Sequence, residues 1–314
     1  MNQFLKLFKK VGGKDILAQW WHSGILPFCC MLVILLGVKR KSLEIVRLAA
    51  SNRRLQKMRK KYSNFISDFK NYYNSSLPRN RSNKVWVLWL QGMDSAPELV
   101  KKCYESLQQN LENQEIILLT EKNYQNYVEF PKHIQEKITS GIITRTHFSD
   151  LLRLELLSKY GGTWIDATVY CSGKEIPKFI LNSDLFVYQC LKPGLDGHCT
   201  SASSWLMTSC TNNPIIVLTK TLLYEYWARN NHMTDYFLIH DFFQLSTEAF
   251  PIEWKKVIPF SNSTPHILLL RLFEPFHEET WTAIKQQTCF HKLSYKFDHS
   301  QTDLKGTYFQ KVFK

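Results

Sequence analysis

A chain of 314 residues with 44% apolar content can bury a full α/β core and one small accessory unit. Its formal charge of +13 resembles a nucleic-acid signal until it is located: residues 1–84 carry 18 Lys/Arg against 3 Asp/Glu, whereas the remainder carries 22 against 24. The nearly neutral remainder offers no basic surface for reading bases, and charge alone gives only salt-sensitive, unspecific affinity, so nucleic acid is not an expected partner. The eight cysteines form no C-x-x-C pair or spaced framework, so neither a zinc nor a disulfide scaffold is indicated, and they read as small buried residues or free thiols of a reducing cytosol.

In chain order, Trp20-Trp21-His22 leads into the uncharged run Ile25–Val38, closed by Lys39-Arg40-Lys41. This 14-residue run is short of the roughly 20 that span a bilayer as a helix, Pro27 interrupts its start, and a basic cluster follows instead of a small-residue cleavage site. Paired tryptophans suit a membrane interface, and flanking Lys/Arg suit an anionic membrane surface. Two readings stand: peripheral or monotopic attachment to the cytoplasmic face of a bacterial plasma membrane, and ordinary packing of the run on the rest of the protein. From Lys39 to about Tyr73 the chain reads as helix, dense in Arg53, Arg54, Lys57, Arg59, Lys60 and Lys61. The polar, aperiodic, proline-containing stretch 74–83 reads as a linker. The expected division is a basic helical attachment segment and linker over 1–83 and an α/β domain over 84–314.

After the linker, Val85–Leu90 and Glu115–Thr120 read as buried strands, and between them Ser95-Ala96-Pro97-Glu98 starts a helix with Leu99, Cys103 and Leu107 at helical spacing. That is one βαβ unit, right-handed by the general rule. Next, Ser149-Asp150-Leu151-Leu152-Arg153 lies on a helix whose apolar face holds Leu152, Leu154, Leu156, Leu157 and Tyr160, with Lys159, Glu155 and Ser158 opposite. Arg153 falls within the apolar face and Asp150 at its edge, three residues apart, so they can meet. Either they form a structural ion pair or they stand at the mouth of a pocket where a polar substrate completes their bonding. Gly161 caps the helix, Gly162 lets the chain reverse into the strand Thr163-Trp164-Ile165, and that strand delivers Asp166 to its carboxyl end, where open α/β sheets bind ligands. Leu185–Tyr188 and Ser204–Met207 supply further strands, and Asn213-Pro214 opens an aromatic-rich helix through Trp227.

The early strand ending in Trp89-Leu90-Gln91-Gly92, then S-D-x-x-R, Tyr160-Gly161-Gly162 and the D-x-D-like Asp166-Ala167-Thr168, resembles retaining GT-A glycosyltransferases. That group includes capsular polysaccharide synthesis proteins, family 32 glycosyltransferases, yeast mannosyltransferases and the sugar-transfer domains of clostridial toxins. For the capsule group the likeness extends to Pro193–His198 and to His291-Lys292-Leu293-Ser294-Tyr295-Lys296. The resemblance implies a Rossmann-like, nucleotide-sugar-binding GT-A domain. It implies that Trp89 stacks on the base beside Gln91, that Asp150 and Arg153 hold donor-sugar hydroxyls, and that Asp166 contacts the ribose and a divalent metal (Mn²⁺ or Mg²⁺) bridging the diphosphate. Thr168 stands where the usual motif has its second aspartate, and a neutral hydroxyl is a weaker ligand for a hard cation. His291 is the late metal or phosphate contact implied by the H-K-L-S-Y-K segment.

Asp241 opens a helix after His240 and reads either as a first-turn acid favoured by the helix dipole or as a catalytic contact to acceptor or sugar. Asp196 and His198, in a glycine-bracketed loop, are candidates for a lid. The chain lacks a P-loop, a nucleophile triad and the flanking carboxylate pair of a glycosidase. The expected function is retaining transfer of a hexose from a nucleotide diphosphate sugar, UDP-linked, to an undecaprenyl-type lipid-linked oligosaccharide in surface polysaccharide assembly. The alternative is an inert, membrane-associated module that keeps the fold and has lost transfer through Thr168.

Overall fold

Seven strands make two sheets in the computed structural model, which describes residues 13–191 and 199–314. They are β1 (Lys84–Leu88), β2 (Glu115–Leu119), β3 (Gly162–Ile165), β4 (Val169–Cys171), β5 (Leu185–Gln189), β6 (Ala202–Ser209) and β7 (Phe290–Lys292). The central sheet runs β2-β1-β3-β6-β5; β1 pairs in parallel with β2 and β3, and β6 runs antiparallel to both β3 and β5. The remaining two strands, β4 and β7, pair antiparallel beside it. This is a mixed α/β architecture with a parallel-rich central sheet, the class that the sequence pattern predicts.

Among the described residues, three helices precede the sheet: α1 (Gly13–His22), α2 (Leu26–Leu36) and the 33-residue α3 (Arg40–Tyr72). Then come α4 (Glu98–Asn110), α5 (Lys132–Thr139), α6 (Arg145–Tyr160), α7 (Lys178–Leu181), α8 (Pro214–Arg229) and α9 (Leu238–Ala249). Four short helices finish the chain: α10 (Pro251–Lys255), α11 (Ile267–Arg271), α12 (Glu278–Gln287) and α13 (Tyr308–Phe313). Local chemistry sets several starts. Thr144 accepts from His147 N–H at the head of α6, and Asn213 accepts from Ile215 and Ile216 N–H ahead of Pro214 in α8.

β1 and β3 are buried on both faces, as their unbroken apolar runs predict, whereas β2, at the edge of the sheet, is fully buried only through Ile117 and Leu119. Trp86 and Trp164 enter one core with α6, α8 and α9, whereas Val85, Val87 and Ile165 face a second core. A third cluster joins Leu99 and Cys103 of α4 to Leu272, Trp281, Leu293 and Phe309, which anchors the C-terminal segment and with it β7.

Between β1 and β6 the space for β3 is narrow. A Cβ on Gly162, whose φ is +90°, would lie 2.3 Å from the Lys84 carbonyl oxygen. Glycine is needed there for close approach as much as for the turn.

The N-terminal basic segment packs into the body of the fold. Leu55, Met58 and Tyr62 of α3 are buried in the main core, each large apolar side chain contributing about 1.5–3 kcal/mol when fully buried. Arg54, also buried, is ion-paired with Asp235 and Asp241. The stretch 74–83 has no helix or strand, yet it is strapped down: Asn80 N–H donates to Thr211 Oγ1 at 2.9 Å and Asn212 Nδ2 donates to the Pro78 carbonyl at 2.9 Å.

Only the start of Ile25–Val38 packs on the rest of the protein. Ile25 and Cys29 are buried against Ala50 of α3, whereas Met31, Ile34, Leu35, Leu36 and Val38 are exposed. No helix among the described residues is long and apolar enough to cross a membrane. The Pro193–His198 loop, with Asp196 and His198, lies outside the described residues.

Candidate active site

The candidate site forms where the first turns of α6 meet the carboxyl ends of β1 and β3. It is an open cleft of about 530 Å³ whose lining includes Trp89, Asp150, Arg153, Asp166, Thr168 and Lys292. α6 is buried almost all round. Even Ser158, placed on the polar side by its spacing, is enclosed, and Lys220 donates to it at 3.0 Å. Burial of this degree fixes the helix, so Asp150 and Arg153 are presented in a rigid frame.

Arg153 joins the two carboxylates. Its Nη1 donates to Asp150 Oδ1 at 3.0 Å and its Nη2 to Asp166 Oδ1 at 3.2 Å. The guanidinium also lies 4.8 Å from the centre of the Trp164 ring, a cation–π contact. Its Nε is buried without a partner among the described residues. Trp164 Nε1 donates to Asp166 Oδ1 at 2.9 Å, so the strand that delivers Asp166 also orients it.

The other oxygen of Asp166 meets a residue that sequence reasoning passed over. Lys292 Nζ lies 2.9 Å from Asp166 Oδ2 and 2.6 Å from Thr168 Oγ1. Strand register puts it there: Lys292 is opposite Val169 in the β4–β7 pair, and Leu293 N–H donates to the Thr168 carbonyl at 2.9 Å.

These contacts separate the two carboxyls. Burial lifts Asp150 to about 7, against the opposing pull of Arg153. Burial also works against the charge on Asp166, but Lys292 and Arg153 outweigh it and hold this carboxyl below its ordinary value. Asp166 is therefore held as the anion, and Asp150 takes up a proton more readily than an ordinary carboxyl.

Trp89 lines the same cleft, edge-on to Tyr295 with ring centroids 5.6 Å apart, and its Nε1 is buried with no partner among the described residues. Three predicted residues are placed elsewhere. Gln91 is exposed beyond the end of β1 and does not line the cleft. His291, fully buried, is packed by Trp281 and Tyr170 and bonded through Nε2 to Ser172 Oγ at 2.8 Å. Neighbours on a strand point to opposite faces, so the register that brings Lys292 to Asp166 turns His291 away. Asp241 lies under α3, where Arg54 Nε donates to it at 2.8 Å, and it does not line this cleft.

A divalent cation at this motif would draw on Asp166 and Thr168. One carboxylate and one neutral hydroxyl are a sparse donor set for a hard cation, and the ammonium of Lys292 already engages an oxygen of each. No group of three His, Cys, Asp or Glu side chains among the described residues could complete a metal site. The residues do not fit a cation held by the protein itself.

No curated protein matches the chain. Among solved structures, one titled "PaToxG Glycosyltransferase" aligns over 82% of this chain and 96% of its own, at 13% identity and a TM-score of 0.39. The family model described as "Capsular polysaccharide synthesis protein" matches residues 38–312, from just ahead of α3 into α13 and across every residue of the cleft, and the chain belongs to that family.

Proposed function

We propose that this member of the capsular polysaccharide synthesis family is a retaining glycosyltransferase that moves a hexose from a UDP-linked donor to a lipid-diphosphate-linked oligosaccharide. The observation that carries the reading is the Asp150–Arg153–Asp166 chain at the carboxyl ends of the parallel strands, in a cleft walled by Trp89. Such an arrangement suits a ligand with one flat face and many hydroxyls. Trp89 offers a ring for the base, and its orphaned Nε1 a donor. Asp150 and Arg153 accept from and donate to sugar hydroxyls, and Asp166 accepts from the ribose.

Transfer breaks the bond between the anomeric carbon and the diphosphate and forms one to the acceptor oxygen. Rigid placement of the sugar lowers the entropic part of that barrier, and fixed charges stabilise the part that comes from charge separation. The acceptor proton passes to the departing phosphate, so no strong protein base is needed.

The N-terminal helices fit the same reading. Exposed Met31, Ile34, Leu35 and Val38 immediately precede exposed Lys39, Arg40 and Lys41 in the chain, a combination suited to monotopic docking on an anionic membrane where lipid-linked acceptors reside.

The test is hydrolysis and transfer across a panel of nucleotide sugars. Turnover of one donor, lost in Asp166→Ala with thermal stability retained, supports the assignment; no turnover or binding of any donor refutes it.

A further inference from the structure

Resting on the reading of this cleft as a nucleotide-sugar site, we propose that Lys292 is a resident cation that binds the donor's diphosphate in place of a divalent metal. The geometry that excludes a tightly held metal supplies a substitute at the same point. Lys292 Nζ is within hydrogen-bond distance of Asp166 Oδ2 and Thr168 Oγ1, the two oxygens a bridging cation would use. An ammonium has three N–H donors, and two are engaged by these residues, which leaves the third for a phosphate oxygen.

Its position is fixed from both sides. The β4–β7 pairing sets the backbone, and Asp166, itself held by Trp164 and Arg153, anchors the head group. Thr168 acquires a role in this arrangement. A second carboxylate at that position would take up more of the ammonium's charge, whereas a hydroxyl accepts its hydrogen bond and leaves the charge available to the ligand.

Two further cations, Arg145 and Lys296, line the cleft, are exposed, and make no ion pair with any described residue. Together with Lys292 they give a diphosphate three positive groups to approach. In the reaction the electron pair of the broken bond goes to the diphosphate oxygen. Lys292 stabilises the developing charge through its hydrogen bond and keeps its own proton, while the acceptor's proton leaves with the nucleoside diphosphate.

Calorimetric titration of the full chain with UDP and with GDP, in EDTA and in Mn²⁺, tests this. The expected result is binding of one nucleotide that differs by less than about twofold between the two conditions, and a loss of about tenfold or more in Lys292→Met, as for a lost hydrogen bond to a charged group. Lys292→Arg, which keeps the cation, should retain EDTA-resistant binding. Binding seen only with Mn²⁺ overturns the role of Lys292 and leaves the sugar-transfer reading intact. Undiminished binding by folded Lys292→Met in EDTA does the same. Absence of nucleotide binding in every condition overturns the underlying reading of the cleft. Should Lys292→Met not fold, the wild-type comparison and Lys292→Arg still decide the question.

Discussion

Arg54 and Asp241, 187 residues apart in sequence, are joined by a 2.8 Å hydrogen-bonded ion pair in which neither side chain is more than slightly exposed. Burial works against the charge on Arg54, but Asp241 and Asp235 outweigh it and keep the guanidinium charged. Removing Arg54 strands two carboxylates in the core, whereas removing Asp241 leaves the guanidinium paired with Asp235 alone. Arg54→Ala should lower unfolding free energy by about 3–5 kcal/mol in denaturant titrations and Asp241→Ala by less, with turnover per folded molecule preserved in both. Lost turnover with unchanged stability would return Asp241 to the catalytic site.

Trp89 tests the nucleotide end of the cleft. Stacking of a base on an aromatic ring is worth about 1–3 kcal/mol, so Trp89→Ala should weaken UDP binding by roughly five- to 150-fold. Trp89→Phe, which keeps a ring, should lose less. Equal affinity in all three proteins, measured by calorimetry, would place the base elsewhere.

Acid sensitivity follows from three enclosed histidines. Burial pushes His291 down to about 3 and both His147 and His240 down to about 4, from an ordinary 6.5. The folded protein keeps them neutral while the unfolded chain takes up protons, so the stability they confer is present above pH 6.5 and declines as pH falls toward the folded values. Each contributes a slope of up to about 1.4 kcal/mol per pH unit in that window. Asp150, raised to about 7, acts in the opposite sense and adds stability as pH falls. Urea unfolding across this range should show a shallower acid decline in His291→Asn and a steeper one in Asp150→Asn. Parallel profiles for His291→Asn and wild type would refute the assignment.

The exposed apolar surface of the N-terminal helices makes its own prediction. Ile34→Asp with Leu35→Asp should reduce co-sedimentation with anionic vesicles and leave hydrolysis of a soluble donor unchanged. Salt should weaken the wild-type interaction, because charges farther apart than about 8 Å are screened at physiological ionic strength. Identical sedimentation with neutral and anionic vesicles would refute the role given to Lys39, Arg40 and Lys41.

Local pattern carried much of the architecture. The helix from about Lys39 to Tyr73, the strands around Val87 and Ile117, and the glycine stop after Tyr160 are legible because caps, apolar runs and turn residues act over short distances. Asp150, Arg153, Asp166 and Thr168 were legible as one motif, and the chain brings them together within the cleft. Lys292 was present in the segment that drew attention to His291, but a three-residue strand gives no sign of which neighbour faces the cleft until its pairing with β4 is known. Asp241 was ambiguous for a similar reason: its first-turn position suits a solvated acid, and only the tertiary approach of Arg54 makes it part of the core.

The path of α3 has a mechanical consequence. A continuous helix of 33 residues reaches about 50 Å, with one end beside the exposed apolar turn after α2 and much of its length embedded in the core. Such a helix is a mount and not a tether: the cleft around Asp166 follows whatever orientation the outer end of α3 adopts.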